Sequence, residues 1–105
     1  MKISHADIIQ RTPQELRMTG ALDFSSVPGL LASTSKLLRQ LQTGNVRIDL
    51  SGVHDVNSAA ITLLFEIQNQ AASRGIMVNF INTPNSLMAI ARVYGIEKEF
   101  REICK

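Results

Sequence analysis

Val46-Arg47-Ile48-Asp49-Leu50-Ser51, the segment Ser58 to Arg74, and Met77-Val78-Asn79-Phe80-Ile81 together decide the fold of this chain. The first alternates apolar and polar side chains among β-branched and aliphatic types, the signature of a strand. In the second, Ala60, Ile61, Leu64, Ile67 and Ala71 recur at helical spacing, and Gly75 supplies the stop. The third is again strand-like. Strand, helix and strand joined by such short links form a βαβ unit, which requires two parallel strands. Ser51-Gly52 and His54-Asp55 interrupt the alternation, so the sequence predicts a loop there, anchored on the core by Val53 and Val56.

Working outward, Asp7 to Thr19 reads as two short strands. Ile8 and Ile9 lie in the first, Leu16 and Met18 alternate in the second, and Thr12-Pro13-Gln14 makes the turn. Gly20 to Ser26 reads as a loop. Val27, Leu30, Leu31, Thr34, Leu38 and Leu41 then give a helix reaching Thr43-Gly44, with Gly44 as its stop and Pro28 tolerated in the first turn. Beyond Thr83-Pro84-Asn85, the positions Leu87, Ile90, Ala91 and Tyr94 form the core face of another helix, stopped by Gly95. Ile96, Phe100 and Ile103 suggest a short last helix returning to the sheet. The expected fold class is α/β: one domain over residues 1–105, with a mixed four-stranded sheet covered by about four helices.

Composition supports one packed core. A chain of 105 residues with 45 % hydrophobic content can bury enough surface to stand without disulfides, and Cys104 alone can form no intramolecular bridge. Eleven basic against nine acidic residues leave a charge of +2, and of only five aromatics Phe65, Phe80 and Tyr94 fall mainly on or near apolar stripes. Both facts disfavour a nucleic-acid partner. No apolar run approaches the ~18 residues of a membrane span, and the first residues lack a signal-peptide core. The expectation is a cytoplasmic protein without direct membrane insertion.

The residues offer little chemistry. His5, His54 and Cys104 have no metal-ligand spacing, and no glycine-rich phosphate loop is present, so no cofactor is expected. His54 and Ser58 form either a fragment of a nucleophilic triad or a surface histidine in a polar turn; the second reading is preferred, and with it a protein that is not an enzyme. Asp23, Asp49 and Asp55 could be drawn together as a carboxylate cluster, but short acids favour turns on their own account. What remains is Asp55-Val56-Asn57-Ser58-Ala59-Ala60, where a loop gives way to a helix. Asn57 or Ser58 can cap it. Ser58, Thr62 and Glu66 follow at four-residue steps opposite the core stripe, bordered by Ala59, Phe65 and Asn69, which reads either as a docking surface or as an ordinary solvated face. A phosphate on Ser58 would meet the positive end of the helix and add nearly two charges there, making it a switch on binding.

Three segments resemble the STAS domain family. Gly20-Ala21-Leu22-Asp23 is similar to the family's Gly-Glu-Leu-Asp. Ile48-Asp49-Leu50-Ser51-Gly52-Val53 with Val56-Asn57-Ser58-Ala59-Ala60 resembles its third strand and phosphorylation loop, and Leu87 to Ile96 resembles its penultimate helix and turn. The resemblance puts Ser58 at the phosphorylatable position. Asn57 stands where aspartate is usual and Ala60 where glycine is usual, changes that a protein contact tolerates more easily than a kinase reaction does. The family includes anti-sigma factor antagonists and the small cytoplasmic subunit of the Mla phospholipid ABC transporter. The latter likeness implies a partner in the transporter's ATPase subunit, met through Asp55, Asn57, Ser58, Ala59, Thr62, Phe65 and Glu66. The former implies an anti-sigma factor kinase as partner, with binding switched at Ser58.

Overall fold

A computed structural model describes residues 5–41 and 44–104. The expected first hairpin is β1 (Ala6–Thr12) and β2 (Glu15–Leu22), antiparallel around Pro13-Gln14. α1 (Val27–Gln40) follows, then β3 (Asn45–Val56), α2 (Ser58–Ser73), β4 (Met77–Ile81), α3 (Asn85–Val93) and α4 (Glu97–Ile103). The sheet order is β1-β2-β3-β4, and β3 runs parallel to both its neighbours. The βαβ unit expected from the sequence is therefore present as β3, α2 and β4.

Strand side chains alternate between two unlike faces. Ile8, Leu16, Met18, Val46, Ile48, Leu50, Val78 and Phe80 point to one side and join helix residues such as Leu30, Leu38, Leu64, Ile67, Leu87 and Phe100 in a single core. The opposite face carries Ile9, Arg11, Glu15, Arg17, Arg47, Asp49 and Ser51, and none but Asp49 is buried. Among the described residues, no helix is long and apolar enough to cross a membrane.

Two expected loops are strand instead. Gly20 to Leu22 continues β2, and Gly52 to Val56 continues β3, the two running side by side through register shifts after Arg17 and Gly20. Long-range pairing supplies what local alternation lacks: Gly52 lies so close to Thr19 that a Cβ would stand 2.7 Å from its Cγ2. Gly20 has a φ of 97°, and the Ala21 N–H just beyond it donates to the His5 carbonyl at 3.0 Å. β4 pairs only with Asn45 to Asp49, so the far half of β3 projects beyond it.

The end of α1 also differs from expectation. Leu41 is already extended (φ −83°, ψ 141°), so the helix closes at Gln40; Thr43 lies outside the described residues. Gly44 is no helix stop, and its carbonyl accepts the Met77 N–H at 2.7 Å at the entry to β4. Gly75 and Gly95, with φ of 73° and 71°, do end α2 and α3. α3 buries Leu87 and Ala91, one helical turn apart, but Tyr94 is 60 % exposed, because the helix is already finishing there and the chain turns at Gly95. α4 returns as expected, and Cys104 bridges to Phe80.

Candidate functional site

The second half of β3, paired with the end of β2, carries the chain to the start of α2. There the Asn57 N–H donates to the Leu22 carbonyl at 3.2 Å, tying the loop to the end of β2. Its side-chain Oδ1 accepts the Ala59 N–H at 2.9 Å, and its carbonyl accepts the Ala60 N–H at 3.0 Å. Asn57 is thus the cap, satisfying one of the free amides at the helix start. Ser58, spared that duty, stands half-buried in the first turn of α2.

Two shallow grooves meet at Ser58. One, of about 450 Å³, runs from Val56 and Ser58 to Ala89 and Val93 of α3 and Tyr94 just beyond it. The other, of about 430 Å³, runs from Ser58 and Thr62 to Phe24, Tyr94 and Ile96. Phe24 (72 % exposed), Val93 (84 %) and Tyr94 rim them, three of the large apolar side chains that face solvent among the described residues, gathered in one place. Phe24 is held outward by its own turn. Asp23 Oδ1 accepts the Ser25 and Ser26 N–H groups at 3.0 and 3.1 Å, and the Ser26 hydroxyl donates to the Ala21 carbonyl at 2.6 Å.

The expected surface is thus redistributed. Asp55 and Thr62 are exposed, Asn57, Ser58 and Glu66 are half-buried, and Ala59 is buried. Phe65, expected as an exposed border residue, is half-buried, its ring edge-on to Phe100 with centroids 5.9 Å apart. It joins α2 to α4. Phe24, Val93 and Tyr94 were not singled out by the sequence as contact residues. A bulky aromatic between Asp23 and Ser25-Ser26, and a Val93-Tyr94 pair running up to the Gly95 helix stop, are the signals that mark them.

Polar groups elsewhere serve the fold. His54 Nδ1 lies 3.0 Å from Asp55 Oδ2, both on the surface. Asp49 sits under the polar face of the sheet, where Asn82 Nδ2 donates to it at 3.0 Å and the Ser51 N–H at 2.9 Å. Burial alone would raise its pKa. The amide of Asn82, the hydrogen bonds from Ser51 and the charge of Arg17 outweigh that and hold the carboxyl below its ordinary value. Asp23, Asp49 and Asp55 therefore each have separate local partners, and no group of three ligating side chains that could hold a metal is found among the described residues.

Two comparisons bear on this arrangement. A family model described as "Mlab, STAS domain" matches residues 6–103. Among solved structures, that of the anti-sigma factor antagonist SpoIIAA in its unphosphorylated form is similar in fold, with a TM-score of 0.71 at 12 % identity, covering 96 % of this chain and 86 % of that one. No curated protein matches the chain.

Proposed function

The chain belongs to the STAS domain family, and from that premise we propose that it is a non-enzymatic subunit that binds the cytoplasmic ATPase of a phospholipid-transport ABC system. A protein-interaction role follows from the family. The transporter partner rests on the description of the matching family, and the observation that carries the contact is the apolar rim of Phe24, Val93 and Tyr94 around Ser58 and Thr62. Exposed rings and aliphatic side chains beside small residues give a partner helix or loop surface to bury, with the hydroxyls of Ser58 and Thr62 placed to fix its register. Asp55 and Asn57 lie at one border and Glu66 at the other. Ala59 supplies floor rather than contact, and Phe65 acts from beneath by holding α2 in place. The chain then works at the inner face of the membrane, carried there by its partner.

A second reading is favoured by the fold likeness to SpoIIAA. In it the chain is an anti-sigma factor antagonist whose binding to an anti-sigma kinase is switched by phosphorylation of Ser58. Titration calorimetry of the purified chain against each class of partner separates the two. Saturable binding to the ATPase supports the first reading. Binding to the kinase, with added phosphate on Ser58 in the intact mass after incubation with ATP, supports the second. Binding to neither overturns both.

A further inference from the structure

The outer edge of β1 faces no other strand among the described residues, and its sequence is complementary to itself. The His5–Ala21 hydrogen bond and the β1–β2 register fix the phase of the strand as far as Gln10; the register shifts between Gln10 and Thr12, and Arg11, at that bulge, still turns its side chain to Glu15 and Asp49 on the polar face. His5, Asp7 and Ile9 turn their backbone groups inward to β2, so Ala6, Ile8 and Gln10 turn theirs outward, free to pair. The side chains of Asp7, Ile9 and Arg11 project on the polar face of the sheet, where Ile9 is 55 % exposed.

We propose that this edge pairs antiparallel with the same edge of a second copy of the chain, about a two-fold axis through Ile9. In that register Ile9 lies opposite Ile9 of the second copy, and Asp7 lies opposite Arg11, twice by symmetry. Ile8 and Gln10 exchange backbone hydrogen bonds with Gln10 and Ile8 of the second copy. The Ile9 pair falls at a position without backbone bonds, where facing side chains approach most closely.

Other registers are worse. A slide of two residues sets a charged side chain against Ile9 and loses both ion pairs. Parallel pairing puts Asp7 beside Asp7, and Pro13 has no N–H with which to prolong the strand. Arg11 is able to reach across, since its contacts within the chain, to Glu15 at 3.8 Å and Asp49 at 3.7 Å, are long and its side chain is 46 % exposed. Charges on an edge strand ordinarily repel foreign strands; here their order admits one partner, the strand itself. The pairing uses none of the residues around Ser58.

A seven-residue edge buries less than a standard interface, so self-association belongs at roughly 0.1–1 mM chain. Sedimentation equilibrium at low salt over that range tests it: the mass should rise from 11.6 kDa toward twice that value. Asp7→Arg, which sets like charges opposite one another, should weaken association at least ~10-fold. Oxidation of Ile9→Cys in a Cys104→Ala background should link two chains across the axis, whereas Gln10→Cys, offset from its own copy, should not. A monomer at every concentration with no Ile9→Cys link, or Asp7→Arg associating as strongly as the parent chain, would overturn the proposal.

Discussion

Replacing Gly20 with alanine should be far more damaging than its single methyl group suggests. Gly20 has a φ of 97°, and an added Cβ would lie 2.2 Å from the His5 carbonyl oxygen and 2.8 Å from the Ala6 Cα. Forcing an L side chain into that backbone region costs ~1–2 kcal/mol. Both clashing atoms are backbone, so no side chain can swing away. β1 must move, and the Ala21–His5 hydrogen bond, about 1 kcal/mol, goes with it. The sum is about 2–3 kcal/mol, a large share of the ~5–15 kcal/mol that holds a domain together. Urea unfolding followed by circular dichroism should show the midpoint falling by roughly 2 M, and heating should show Tm falling by more than ~10 °C. Gly29→Ala is the internal control. It lies in the first turn of α1 with nothing within 4 Å of an added Cβ, and should stabilise by ~0.4–1 kcal/mol. A loss below ~1 kcal/mol for Gly20→Ala would refute the close approach of β1 to the turn of β2.

Three further substitutions separate the scaffold from the contact surface. Asn57→Ala removes the cap on Ala59 N–H and should cost about 1 kcal/mol in urea unfolding. Phe65→Ala takes away a ring packed on Phe100 and should cost roughly 2 kcal/mol of stability, where a purely surface residue would cost almost none. The Asp49 carboxyl is held below its ordinary value of 3.8 in the folded chain, so its stabilisation is complete above that value and is lost as pH falls through the lower folded value. Asp49→Asn should therefore be less stable than the parent at pH 7, and the gap should close in acid-titrated unfolding curves.

How far the fold was legible depended on whether local pattern or distant pairing decided each element. β4, α2 and the closing role of Gly75 follow from alternation, helical spacing and a glycine stop, all local. The second half of β3 does not. Gly52, His54 and Asp55 read as loop residues, and only the pairing of Thr19 to Leu22 with Gly52 to Val56 makes them strand. Gly44 looked like a helix stop because glycine commonly is one, whereas here it hands its carbonyl to Met77. The docking end of α2 was legible as a helix start rich in small and hydroxyl residues. Its apolar rim was not, because Phe24 and Tyr94 come from other segments, and in Tyr94 helical spacing pointed to the core while the closing turn of α3 sends the ring outward.

Thr62 is exposed between Phe24 and Tyr94, at the centre of the proposed contact and clear of the core. Titration of the purified phospholipid-transport ATPase with the parent chain and with Thr62→Arg is therefore the most direct measurement. The parent should bind saturably, and the buried charge should weaken binding by about 2 kcal/mol, some ~30-fold, with unfolding unchanged. Equal affinity for the two proteins would contradict a partner seated on this face.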